Sequence, residues 1–238
     1  MKERAYWEPY PIWLGETVFL IGGGPSLRQY AGLHPEERRE EAIYPALARA
    51  LSPIHGRPVI GINNAYLLGD WVNILTFGDQ NWWNKNIDRI RREYAGLAVI
   101  TSWPNLNIGW GFAKVMRRVY RGFFNDGCRL AWNQCTGHMA VNLAVTLGAA
   151  KVVLLGYDGG INGYAKQSKG YWSNWHPAHT KSQVKEKSDQ DAVFKRFLAA
   201  GRDVKKGCER ENVEVIIAGD SAYPFWEKKE ISEALHET

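Results

Sequence analysis

The chain has 238 residues, 45% of them hydrophobic, which supplies a real core for one large domain and excludes disorder, collagen and coiled coil. No apolar run approaches the roughly 20 residues that a bilayer-crossing helix needs, and no cleavable signal follows the polar start at residues 1–8. Cys128, Cys135 and Cys208 lie too far apart for a disulfide framework or a thiolate zinc site, so a soluble, unexported, cytoplasmic protein is expected. Thirty Lys and Arg against twenty-five Asp and Glu give a formal charge of +5, which favours phosphorylated or polyanionic partners without demanding them.

Short β-branched or apolar runs predict strands at residues 17–21, 58–62, 73–77, 97–101, 152–155 and 213–217. Stretches with apolar residues three or four apart predict helices at 35–51, 82–94, 137–147 and 188–202. This alternation implies a single α/β domain over residues 1–238, Rossmann-like, with a mostly parallel sheet covered by helices on both faces. Residues 102–133 and 159–187 are too long and too rich in aromatic and polar groups for ordinary connections, and are expected to form a small lid. Residues 1–14 read as an arm and 227–238 as a charged closing helix. Eleven tryptophans, against about three or four for an average chain of this size, must pack, stack on a ligand or line a cleft.

The sharpest local signal is Gly22-Gly23-Gly24-Pro25-Ser26-Leu27, directly after the first predicted strand. Glycines there let backbone approach an anion, and the following helix start offers unpaired N–H groups, so a phosphate is the expected guest. Leu27 stands where the dinucleotide fingerprint has its third glycine, and the second strand ends in Asn63-Asn64 instead of an acid, which demotes a nicotinamide cofactor. Asn63 and Asn64 are read as amides facing the same sheet edge. Gly78-Asp79 ends the third strand, with Trp82 and Trp83 expected in the core. Thr136 and Gly137 open an apolar helix and are read as nucleotide-binding, while His138 in its first turn reads as structural. Gly156-Tyr157-Asp158 brings an acid to a strand end, where it either fixes a loop or meets substrate. In the loop that follows, His176-x-x-His179 lacks helical spacing because Pro177 intervenes, so the histidine is read as a general base and no metal site is expected.

Taken in order, these motifs resemble the bacterial sialyltransferases that use CMP-N-acetylneuraminate, and the related proteins similar to archaeal 6-hydroxymethylpterin diphosphokinase, whose members also occur in phage genomes. Residues 22–27 look like the family's G-N-G-P-S-L, residues 63–66 like its N-Q-F-Y, residues 135–137 like its T-S-G, residues 154–158 like its S-G-I-D segment, and His179-Thr180-Lys181 like its H-S-K. Two positions depart from the pattern: Gly23 replaces a donor-binding Asn, and Gly160 replaces a phosphate-binding Tyr.

The resemblance implies a nucleotide-dependent transferase that moves a sugar from a nucleotide-sugar such as a CMP-sugar to an acceptor hydroxyl by single displacement, without a required metal. It implies roles for His179 (base), Tyr164 (departing phosphate), Asn63 and Thr136 (nucleotide), to which the position of the motifs adds Asp158 as a catalytic candidate and Gly22, Gly23, Gly24, Pro25, Ser26, Asn64, Asp79 and Gly137 around the nucleotide. If the diphosphokinase branch is nearer, the transferred group is pyrophosphoryl, and Mg2+ held by carboxylates such as Asp79 and Asp158 is required. A third reading is a non-catalytic phage protein, in the host cytoplasm, that binds nucleotide or nucleic acid through Arg89, Arg91 and Arg92 and through Arg117, Arg118 and Arg121; DNA as a glycosylation acceptor joins the two. No pattern fixes an oligomeric state.

Overall fold

The computed structural model describes residues 6–34, 36–103, 113–159 and 187–238, with the side chains of 187–193 outside the description. Strands β1 (Thr17–Ile21), β2 (Val59–Ile62), β3 (Ile74–Phe77), β4 (Ala98–Thr101), β5 (Ala113–Val115), β8 (Lys151–Leu155), β9 (Glu214–Ala218) and β10 (Glu227–Lys229) form one sheet. Its order is β10-β9-β8-β1-β2-β3-β4-β5, and every neighbouring pair is parallel. Strands β6 (Arg117–Val119) and β7 (Arg129–Ala131) make a separate parallel pair. Helices α1 (Ser26–Tyr30), α2 (Glu40–Ala50), α3 (Gln80–Glu93), α4 (Thr136–Thr146), α5 (Lys187–Arg210) and α6 (Ile231–Ala234) lie between and after the strands.

Strand period two divides the core into two layers. Phe19, Ile21, Leu75, Phe77, Val153 and Leu155 meet residues of α2 and α3 on one face. Val18, Leu20, Ile60, Ile74, Val152 and Leu154 meet α4 on the other. Both faces are covered, which is why the strands read as unbroken apolar runs. Helix α4 is buried at every position from His138 to Thr146, so it packs as a core element. Asn142 on its buried face accepts from the Ala131 amide at 3.1 Å and from the Phe124 amide at 3.4 Å, tying the small sheet to the main body.

The six expected strands are all present. Three strands in residues 113–131 were not expected, because three-residue strands give too little periodicity to read. The closing helix expected at 227–238 is corrected: residues 227–229 pair with β9 as an edge strand, and only Ile231–Ala234 is helical. Charge here marks a solvated sheet edge, where Lys229 and Lys151 both hold Glu237. No helix among the described residues is long and apolar enough to cross a membrane.

Candidate active site

From β1 the sheet grows one way through β2 to β5, and the chain then returns to β8 on the other side of β1. The carboxyl ends of β1 and β8 therefore flank the topological switch point, where open parallel sheets leave a crevice. The glycine turn and Gly156-Tyr157-Asp158 meet there. Gly24 N–H donates to the Gly156 carbonyl at 2.8 Å, and a Cβ on Gly24 would stand 2.3 Å from Asp158 Oδ1. A Cβ on Gly22 would stand 2.7 Å from the Gly156 carbonyl oxygen. These glycines are required by the approach of one turn to the other.

Asp158 fills the position the sequence assigns to phosphate. Its Oδ2 accepts from the Ser26 amide at 2.8 Å and its Oδ1 from the Ser26 hydroxyl at 2.6 Å, with the side chain only 2% exposed. Burial pushes this carboxyl up to about 6, and the two Ser26 bonds oppose the rise. Pro25 caps α1, which has five residues and so little dipole to offer an anion.

The corner beside it differs. Asn63 follows β2 with a positive φ of 53°, and its Oδ1 is buried without a hydrogen-bond partner among the described residues. The next residue, Asn64, is spent inside the fold: its Oδ1 accepts from Trp82 Nε1 at 2.7 Å. Trp82 and Trp83 pack around Phe77 as expected, with Trp83 stacked on that ring at 4.5 Å between centroids. Asp79 caps α3 by accepting from the Asn81 and Trp82 amides. Gly78, between them, leaves room for two groups from elsewhere. A Cβ there would be 2.8 Å from Thr136 Oγ1 and 3.0 Å from Trp132 Nε1. Thr136 therefore reaches the end of β3 from the first turn of α4. The chain enters that helix through Asn133 and Gln134, both left-handed at φ 51° and 54°. Asn133 is held by a pair of bonds to Gly122.

A third group joins Arg118, read from the sequence as a nucleic-acid contact, to two tryptophans that the sequence reading did not connect with it. The Arg118 guanidinium lies over Trp132 at 3.8 Å and over Trp103 at 4.4 Å, measured to the ring centroids. Trp103 follows β4, so this stack stands next to Thr136 and Gly78 on the same edge. The available signal was a tryptophan just beyond a strand end together with Arg118 and Trp132, but spacing alone does not show that the rings close around one cation. His138 is fully buried among Phe197, Tyr223 and Trp226, with neither ring nitrogen bonded, and burial lowers its pKa to about 4.

Of the expected site residues, Gly22, Gly23, Gly24, Pro25, Ser26 and Asp158 gather at the switch point, and Asn63, Asn64, Asp79, Thr136 and Gly137 gather at the ends of β2, β3 and the start of α4. His179 and Tyr164, with most of the expected lid at 159–187, lie outside the described residues, as do residues 104–112 of the other expected lid segment. No cluster of metal-ligating side chains occurs among the described residues. Among the expected nucleic-acid contacts, Arg89 pairs with Glu40 and Glu93.

No family model and no curated protein matches the sequence. Among solved structures, the chain is similar to the sialyltransferase CstII from Campylobacter jejuni in complex with a substrate analogue, cytidine-5′-monophosphate, at 14% identity and a TM-score of 0.39, covering 86% of this chain and 80% of that one. A complex of the same enzyme with CMP-3FNeuAc gives 13% identity and a TM-score of 0.37, covering 84% and 79%.

Proposed function

We propose that this chain is a nucleotide-sugar-dependent glycosyltransferase, of the sialyltransferase kind that its motif order resembles. The observation that carries the reading is Asn63. A buried amide oxygen without a donor costs free energy, and a left-handed φ at a strand end adds to it. An amino group of a base or a ribose hydroxyl would satisfy that oxygen.

In this reading neutral His179 takes the proton of an acceptor hydroxyl as that oxygen bonds to the anomeric carbon of the donor. The bond from that carbon to the nucleotide phosphate breaks, and Tyr164 and Thr136 meet the charge that collects on the departing phosphate. The pyrophosphoryl alternative requires Asp79 and Asp158 as magnesium ligands. Asp158 has both oxygens held by Ser26, which disfavours it as a magnesium ligand and favours the glycosyl reading. Acceptors with and without phosphodiesters, DNA included, belong in the same assay.

A thermal-shift panel of cytidine, uridine and adenosine nucleotides with CMP- and UDP-sugars tests the reading. One nucleotide class should raise the melting midpoint by mass action, and Asn63→Ala should abolish the rise. Equal responses of the two proteins, or no response to any nucleotide, would refute it. Donor turnover that persists unchanged in His179→Ala would remove the histidine from the mechanism.

A further inference from the structure

The Arg118 guanidinium has no hydrogen bond or ion pair among the described residues, although its Nε is buried. Burial lowers its pKa, and among the described residues Tyr120 is the charge influence upon it, with no carboxylate contributing. Beside it, the Nε1 of Trp103 is a second buried donor without an acceptor. Charged groups withdrawn from water are ordinarily paired, because the lost hydration must be replaced. Ring faces at 3.8 and 4.4 Å hold the cation through cation–π contact. They supply no hydrogen-bond acceptor, so the buried Nε–H is left without one among the described residues. The group best matched to a guanidinium edge is an oxyanion that accepts two parallel N–H bonds.

We propose that Arg118, held against the rings of Trp103 and Trp132, is an anion-binding residue that takes a carboxylate or phosphate oxygen pair of the substrate. Its placement rests on the nucleotide-sugar reading only for the identity of the substrate; the unmet donors stand by themselves. Through Trp132 the guanidinium adjoins Gly78 and Thr136, so the bound anion would lie at the same edge as the nucleotide. If that anion is the leaving phosphate, Arg118 stabilises the departing charge; if it is a carboxylate on the transferred sugar, Arg118 selects acidic sugars.

Inorganic pyrophosphate and glucuronate are titrated against wild type, Arg118→Met and Arg118→Lys, followed by tryptophan fluorescence and calorimetry, with the melting midpoint of each variant recorded. At least one anion should bind the wild type, and Arg118→Met should weaken it by at least about tenfold, the scale of a charged hydrogen bond. Arg118→Lys retains charge without the planar fork and should fall between the two. Should Arg118→Met fail to fold, wild type against Arg118→Lys decides. Binding of neither anion by the wild type, or equal binding by the variants, would overturn the proposal.

CMP against cytidine and UDP-glucuronate against UDP-glucose then separate phosphate from carboxylate. The preference that collapses in Arg118→Met identifies the source. Wild type that binds the simple anions but no nucleotide would refute the nucleotide-sugar reading and leave the anion site standing.

Discussion

Two corners of the same sheet edge have opposite states of satisfaction. At the ends of β1 and β8 groups the sequence marks for a phosphate are answered by the protein itself, because Asp158 takes the Ser26 amide and hydroxyl and Gly24 bonds to Gly156. At the ends of β2, β3 and β4 the valences stay open at Asn63, Trp103 and Arg118. A glycine-rich turn at a switch point is therefore evidence of close approach, and the approaching partner can be another segment of the same chain. The open corner is the better place to seek a ligand, since buried polar groups without partners are rare in folded proteins.

The closed corner breaks most readily at Gly24. Gly24→Ala puts a methyl 2.6 Å from a backbone carbonyl and 2.3 Å from a buried carboxylate, neither of which can withdraw. A loss of about 3 kcal/mol or more is expected by urea denaturation. A change below about 1 kcal/mol would mean that the two turns are not in contact in solution.

The pH dependence of stability separates the two buried ionisable groups. Asp158 has its pKa raised to about 6, so the folded state binds its proton more tightly than the unfolded chain, and stability falls as pH rises from about 4 to 6. His138 has its pKa lowered to about 4, so stability is present above about 6.5 and is lost as pH falls toward 4. The two windows overlap with opposite signs, and wild type should show little net slope from this pair between pH 4 and 6. Asp158→Asn unmasks the histidine, so its stability should climb with pH by about 2 kcal/mol across that interval. His138→Phe unmasks the aspartate, and its stability should drop over the same interval. Parallel curves for wild type and both variants would show that neither group is shifted as burial requires.

The sheet was legible in the sequence because its central strands are covered on both faces, and continuous apolar runs such as Val18–Leu20–Ile21 and Val152–Leu155 announce that directly. The short strands at 113–131 and the edge strand at 227–229 were not, since three residues carry no usable period and the last reads as Glu-Lys-Lys. The same limit governs the site. Motif position brought Asn63 and Thr136 to one sheet edge, because a strand end or a helix start locates a residue by itself. It did not distinguish Asn63 from Asn64, whose roles differ only through Trp82, eighteen positions away. Nor did it join Arg118 to Trp103 and Trp132, because a stack contributed by three segments exists only after folding.

The adjacent asparagines sharpen the contrast on a smaller scale. Asn64→Ala strands the buried Trp82 Nε1, and should cost about 2 kcal/mol with ligand affinity unchanged once the protein is folded. Asn63 should behave in the opposite way. At φ 53° a side chain of any length is held in a sparsely populated backbone region, and here its oxygen also lacks a partner. Asn63→Gly removes both penalties, while the extra freedom that glycine confers on the unfolded chain offsets part of the gain, leaving about 0.5 kcal/mol of added stability. The same variant should lose the nucleotide-induced rise in melting midpoint, because the acceptor is gone. Stability and binding would thus move apart at one position, as expected where a residue is kept for a ligand at some expense to the fold. If Asn63→Gly instead destabilises the protein by about 1 kcal/mol or more, the amide serves the turn, and the corner around Thr136 loses its strongest claim to be open.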